Sequence, residues 1–244
     1  IGDCFRLIQL GKADVMIAGG AEAAISRIGM AGFCALRALS TKFNDEPKKA
    51  SRPFDKDRDG FVMGDGAGGL IVEEYEHAKK RNADILAEII GYGSSGDAHH
   101  ITAPPDDGNG AEKCILSALN DAKKNPEDID YINAHGTSTQ VGDKVEVGCI
   151  KKIFSKNLDK VKMSSTKSSI GHLLGASGSV ESIYSMLSIN NRTLPPTLNL
   201  VSPISEAEGL DLIPLNSIDH KVDCVLSNSF GFGGTNASLI FKSI

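Results

Sequence analysis

The stretch GAEKCILSALNDAKKNPEDIDYINAHGTSTQVGDKVEVGCIKKIF, residues 110–154, decides the fold class. It opens as an amphipathic helix, with Ile115, Leu119 and Ala122 on one face. DIDYINAHGTST then reads as a strand that opens into a polar loop bearing a glycine. GDKVEVGCIKKIF follows as a second helix, with Val147, Ile150 and Phe154 on its apolar side. Helix, strand and helix in succession argue for an α/β protein.

The alternation continues on both sides. DVMIAGG, with its strand core at 15–18, reads as a buried strand, and residues 27–39 as a small-rich, partly helical stretch. AGGLIVEEYEHAKKRN is a strand running into a helix that ends near Asn82. ILAEIIGYGSSG is an apolar strand closing in a Gly/Ser loop, and GSVESIYSMLSINN is a helix. DCVLSNSFGFGGTNASLIFKSI reads as two strands flanking a glycine turn. Residues 192–217 carry Pro195, Pro196, Pro203 and Pro214 and are expected to form a long surface connection.

Bulk properties narrow the function. The chain has 244 residues, enough for one large or two small domains with a sizeable core. Its 41% hydrophobic and 23% charged content is that of a soluble globular protein. A net charge of -5, without a Lys/Arg cluster interleaved with aromatics, disfavours nucleic acid as a partner. No apolar run approaches the ~20 residues that a membrane helix needs. The 5 cysteines (Cys4, Cys34, Cys114, Cys149, Cys224) form no CxxC pair, which points away from a zinc site or a disulfide framework and toward a reducing compartment. The chain begins IGDCFRLIQLG, without Met, as an amphipathic helix already under way and stopped at Gly11. A segment upstream of Ile1 is therefore expected.

Three local patterns do not carry a function. DKDRDG, residues 55–60, begins like a calcium loop, but Gly66 stands where the bidentate glutamate belongs. GDGAGG precedes a strand, whereas a dinucleotide loop follows one and opens a helix. His99 and His100 lack the spacing and the carboxylate of a metal site.

Three others share one form: a strand end, a polar residue, then glycine. They are NAHGTST with His135, STKSSIGH with Lys167 and His172, and NSFGFGGTN with Phe230 and Phe232. Loops at strand ends converge on the ligand site of α/β sheets. Two histidines beside glycine turns are suited to hydrogen-bond the developing charge on a carbonyl oxygen. Lys167, among small residues, needs a counter-charge, and Glu181 in the following helix can supply it. The pair either serves the chemistry or only anchors the loop.

NAHGTST, STKSSIGHLLGASGSVES and NSFGFGGTNASLIF resemble the signature segments of elongating β-ketoacyl-acyl carrier protein synthases. GGAEAAIS, GFCALRALS, ASRPFDKDRDGFVMGDGAG and EEYEHAKKR are similar to the same family. The resemblance covers nearly the whole chain. It implies a thiolase-like fold in five αβαβα layers, with residues 1–83 as the tail of the first half and 84–244 as the second half. The chain departs from the family's GTSTP by carrying Gln140 after Thr139.

The resemblance also assigns roles. The nucleophilic cysteine is expected upstream of Ile1, about two helical turns before it at ~3.6 residues per turn; Cys4 lies too far along the helix. His135 and His172 would bind the malonyl thioester oxygen as neutral donors, a state favoured by Lys167 held by Glu181. The backbone N–H of Phe232 would complete an oxyanion hole with that of the cysteine, and its ring would act as a gate between the malonyl and acyl sites, with Gly231, Gly233 and Gly234 giving it room to swing. Thr137 and Thr139 match the threonines that bind the pantetheine arm. Thr102 is a further candidate for the arm, Arg37 for the carrier protein, and Phe33 and Phe230 for the substrate pocket. The partners implied are an acyl carrier protein and a second copy of the chain in a homodimer. No cofactor is expected beyond the carrier's own phosphopantetheine. The compartments implied are the bacterial cytoplasm or a mitochondrial or plastid matrix. Two alternatives stand beside condensation: a malonyl decarboxylase, and a non-catalytic truncated or partner subunit.

Overall fold

The structure, a computed structural model, describes residues 1–244 and is α/β. Its main sheet has five strands in the order β3 (Glu88–Gly96), β9 (Thr235–Lys242), β8 (Cys224–Gly231), β4 (Tyr131–Asn133), β5 (Lys162–Ser164). β8, β4 and β5 run parallel, while β9 is antiparallel to both its neighbours. α4 (Asn109–Asp121) and α5 (Gln140–Ile153) cover one face. There Ile115, Leu119, Val147, Ile150 and Phe154 join Ile132, Met163 and Leu226 in the larger core, as the helical spacing predicts.

The other face packs on α7 (Ser177–Asn191), whose Met186 and Ile189 meet Tyr131, Val225 and Phe241. Behind α7 and α1 (Gly2–Gln9) lies a second sheet, β1 (Val15–Glu22) paired antiparallel with β2 (Gly66–Glu73). Helices, sheet, helices and sheet thus stack in four successive layers. α2 (Arg27–Ala35) and α3 (Tyr75–Lys80) follow β1 and β2 in the chain. The second sheet approaches α7 and the turn before it closely because glycines face them. A Cβ on Gly20 would lie 2.3 Å from the Gly175 carbonyl oxygen, and one on Gly68 would lie 2.8 Å from Ser179 Oγ.

Two sequence expectations need correction. DVMIAGG forms a strand that is mostly not buried: Ala18 is, but Ile17 is 80% exposed and its partner Ile71 62%. Period-two alternation turns one face of the ribbon toward α7 and leaves the other open. Residues 192–217 are not a surface connection. Leu194, Thr197, Leu200, Leu212 and Ile213 are buried, and β6 (Thr193–Leu194) pairs with β7 (Ile218–Asp219). Apolar residues between the prolines plug both cores. Thr197 Oγ1 donates to the Leu212 carbonyl and accepts from the Ser165 N–H, so the buried backbone stays satisfied.

Candidate active site

The C-terminal ends of parallel β4, β5 and β8 open on one side of the main sheet, where α/β folds place ligands. β4 delivers His135, β5 leads into the single-turn α6 (Lys167–Ile170), and β8 ends at Phe230 and Gly231. His172 follows α6 and is tied by backbone hydrogen bonds from its N–H to the Val62 carbonyl and from the Gly64 N–H to its own carbonyl. The His135 and His172 rings stand 5.4 Å apart and nearly perpendicular. The Phe230 ring is 6.0 Å from His135, and Phe61 is 5.3 Å from His172. The three strand–polar–glycine segments therefore meet in one place.

That place is a cavity of about 1110 Å³. His135, His172, Thr137, Thr139, Phe230 and Phe232 line it, as do Gly231, Thr102 and Arg37. The Thr137 and Thr139 hydroxyls are 3.0 Å apart. Phe232 is half-exposed, and no backbone carbonyl engages its N–H. Phe33 does not reach the cavity; it stacks edge-on behind Phe61, with 5.2 Å between centroids. Gly233 stays off the wall as well, at the outer end of the β8–β9 turn with φ of 83°.

Lys167 and Glu181 lie behind the histidines, not on the cavity. The two form an ion pair with side chains 1% and 0% exposed. Lys167 Nζ is also 3.4 Å from His135 Nδ1. An ammonium only donates, so that ring nitrogen accepts and the proton of neutral His135 sits on Nε2. His172 reaches the same tautomer by another route. Its Nδ1 accepts from the Leu174 N–H at 3.2 Å, with Ser177 Oγ 3.0 Å away. Each neutral ring is left with one donor, Nε2–H.

Burial is the first cause that keeps both rings neutral, with Lys167 second. His135 is held well below the ordinary histidine value, and His172 is lowered to about 3. Burial pushes the Glu181 carboxyl up to about 7 against the pull of Lys167.

Sequence reasoning missed two carboxylates on α5. Glu146 accepts the His135 and Gly136 N–H groups at 2.8 and 2.7 Å and so fixes the loop that carries the first ring. Asp143 accepts the Ser138 and Phe54 N–H groups at 3.0 and 2.8 Å, and burial raises it to about 7. Both share the helical phase of Val147, Ile150 and Phe154, and an acid in phase with an apolar face was the available signal. No cysteine lines the cavity. Cys114, Cys149 and Cys224 are buried, with thiols pushed up to about 11, 12 and 12. The N-terminal end of α1, Gly2 and Asp3 with the capping Ile1, does face it.

Comparison with known proteins agrees with this geometry. Residues 1–78 match the family described as beta-ketoacyl synthase, N-terminal domain, and residues 86–201 match its C-terminal domain. A 3-oxoacyl-[acyl-carrier-protein] synthase 2 of Rhizobium meliloti (strain 1021) is 57% identical over 242 residues, covering 99% of this chain and 57% of that protein. A mitochondrial 3-oxoacyl-[acyl-carrier-protein] synthase of Arabidopsis thaliana is 54% identical over 246 residues, 100% of this chain and 53% of that protein. Among solved structures, a beta-ketoacyl synthase from Burkholderia phymatum STM815 superimposes with a TM-score of 0.94 at 42% identity, covering 100% of this chain and 58% of that one. A type II PKS ketosynthase in complex with its acyl-carrier protein gives 0.96 at 37% identity, with 100% and 59% covered. The chain thus spans less than two thirds of the length of each of these relatives.

Proposed function

The chain belongs to the β-ketoacyl synthase family, and from that premise we propose that it supplies the malonyl-activating part of a decarboxylative condensation in fatty acid elongation. The carrying observation is the pair of neutral rings 5.4 Å apart, each with Nδ1 occupied as an acceptor and Nε2–H free to donate. A thioester carbonyl oxygen held by both donors is stabilised as it becomes an enolate oxygen.

Loss of carbon dioxide leaves the electron pair of the broken C–C bond in that enolate. The enolate carbon then attacks the carbonyl of an acyl thioester. A new C–C bond forms, the acyl thiolate leaves, and the product is a β-ketoacyl thioester. Lys167 orients His135 and disfavours its protonation, and Glu181 holds Lys167. The Thr137 and Thr139 hydroxyls take the pantetheine arm, with Thr102 beside them, and Arg37 meets the carrier protein. The Phe232 N–H serves the acyl oxyanion and its ring gates the cavity.

The resemblance puts the acyl group on a cysteine upstream of α1, and the N-terminal end of α1 faces this cavity. The reaction needs no cofactor beyond the carrier's own arm. The open apolar face of the β1–β2 ribbon supports a homodimer in which a second copy covers Ile17 and Ile71. No helix is long and apolar enough to cross a membrane, and the relatives are bacterial and mitochondrial. A bacterial cytoplasm or an organellar matrix is the compartment proposed.

Carbon dioxide release from malonyl-carrier protein tests the reading. His135→Ala and His172→Ala should each lower it on the order of 10²–10³-fold. The double variant should lose little more, because the two donors act on one oxygen. Release that survives both replacements contradicts the assignment. Release with no ketoacyl product even when an acyl-carrier thioester is added supports a malonyl decarboxylase reading for the chain by itself.

A further inference from the structure

Arg58 does not reach the cavity, yet it is buried against the loop that presents the two threonines. Its Nε donates to the Thr139 carbonyl at 3.0 Å and its Nη2 to the Gln140 carbonyl at 2.5 Å. Nη1 donates to the Asp55 carbonyl at 3.1 Å. The guanidinium also stands 3.4 Å from Asp143, the carboxylate that accepts the Ser138 N–H. The same segment holds Ser138 twice more: its carbonyl accepts the Gly60 N–H at 3.1 Å, and its hydroxyl accepts the Arg52 N–H at 3.1 Å. Ser138 itself has φ of 70°, a conformation that a non-glycine residue keeps only when its surroundings impose it. Thr137 and Thr139 flank this strained residue, so the separation and direction of their hydroxyls depend on how it is clamped.

We infer that Arg58 is the positioning residue for the Thr137–Thr139 pair. Its planar fork holds the Thr139 and Gln140 carbonyls directly and Ser138 through Asp143, and so sets how tightly an arm-borne substrate is held, without touching that substrate. This rests on the role given to the two threonines above. Lysine cannot replace the fork, because a single ammonium does not reach three diverging carbonyls and a carboxylate in one plane.

The test compares the chain's affinity for malonyl-carrier protein with that for the same carrier protein stripped of its arm; the ratio is the gain due to the arm. Arg58→Lys keeps a positive charge beside Asp143 and is the variant expected to fold, which circular dichroism and melting check. The gain should drop about tenfold, the size of one or two lost hydrogen bonds. Affinity for the armless carrier protein should not change, and the Ser138 amide should exchange faster with solvent. A gain that Thr137→Val abolishes but Arg58→Lys leaves intact overturns the role of Arg58 alone. No gain in the unmodified chain overturns the threonine reading and this inference with it. Unchanged exchange at Ser138 in folded Arg58→Lys overturns the clamp whatever the ligand does.

Discussion

Lys167 Nζ lies 3.4 Å from His135 Nδ1 and is ion-paired with Glu181 on its other side, so the lysine addresses the histidine and not the cavity. Replacing it by methionine should therefore act through the rings. Both imidazoles lose the cation that is their second cause of depression after burial, and both should titrate higher. Glu181 is left as a buried carboxyl without its partner; already raised to about 7 against the pull of Lys167, it takes up a proton, and the loss of the pair destabilises the fold. Adding Glu181→Gln to Lys167→Met should recover part of that loss. Histidine titration curves and urea unfolding check both statements. Unchanged titration in Lys167→Met contradicts the coupling.

Acid stability should carry the signature of His172. Its folded-state value is about 3, against ~6.5 in an unfolded chain. Between these values the unfolded state binds more protons, so stability is lost as pH falls from ~6.5 toward 3. The limiting slope is about 1.4 kcal/mol per pH unit for one group. The raised carboxyls Asp143 and Glu181 contribute the opposite slope above their unfolded values, because there the folded state holds the extra protons. A difference measurement removes them: His172→Gln should unfold with a shallower acid limb than the unmodified chain. Parallel limbs contradict a buried neutral His172.

The His135, Lys167 and His172 segments were legible in the sequence because each combines a strand end, a polar residue and glycine. The helices of residues 110–154 were legible from apolar spacing. Other parts were hidden for physical reasons. DKDRDG shows in sequence only the start of an incomplete calcium loop, yet Asp55 and Arg58 are buried. Their charges are satisfied by backbone groups of the 137–140 and 200–203 segments, which are distant in sequence. Residues 192–217 read as surface because of their prolines, while burial there is decided by isolated apolar residues with no period. The openness of the β1–β2 face depends on what packs against it, which local pattern does not encode.

Thr197 gives a direct measure of how firmly the 192–217 connection is packed. Thr197→Val keeps the shape but leaves the Ser165 N–H and the Leu212 carbonyl without their buried partner. The expected loss is about 1–3 kcal/mol in denaturant unfolding. A neutral result means that the connection is looser than the hydrogen bonds show.

Gly20→Ala probes the contact between the second sheet and the turn after His172. The added Cβ meets the Gly175 carbonyl oxygen at 2.3 Å, and backbone cannot rotate out of the way. Overpacking of this kind costs about 1–3 kcal/mol. The resonances of His172 should shift with it, because residues 174–176 connect its ring to α7. A stable variant with unmoved His172 signals contradicts the packing.

The central claim is that His135 and His172 are neutral rings with the proton on Nε2, both Nδ1 atoms being occupied as acceptors. Nitrogen-15 NMR of the two imidazoles reads this directly. The expected spectrum shows an unprotonated Nδ1 and a protonated Nε2 on both rings at neutral pH, persisting as the pH is lowered through the ordinary histidine range. A proton on Nδ1 of either ring, or titration of either ring near ~6.5, contradicts it.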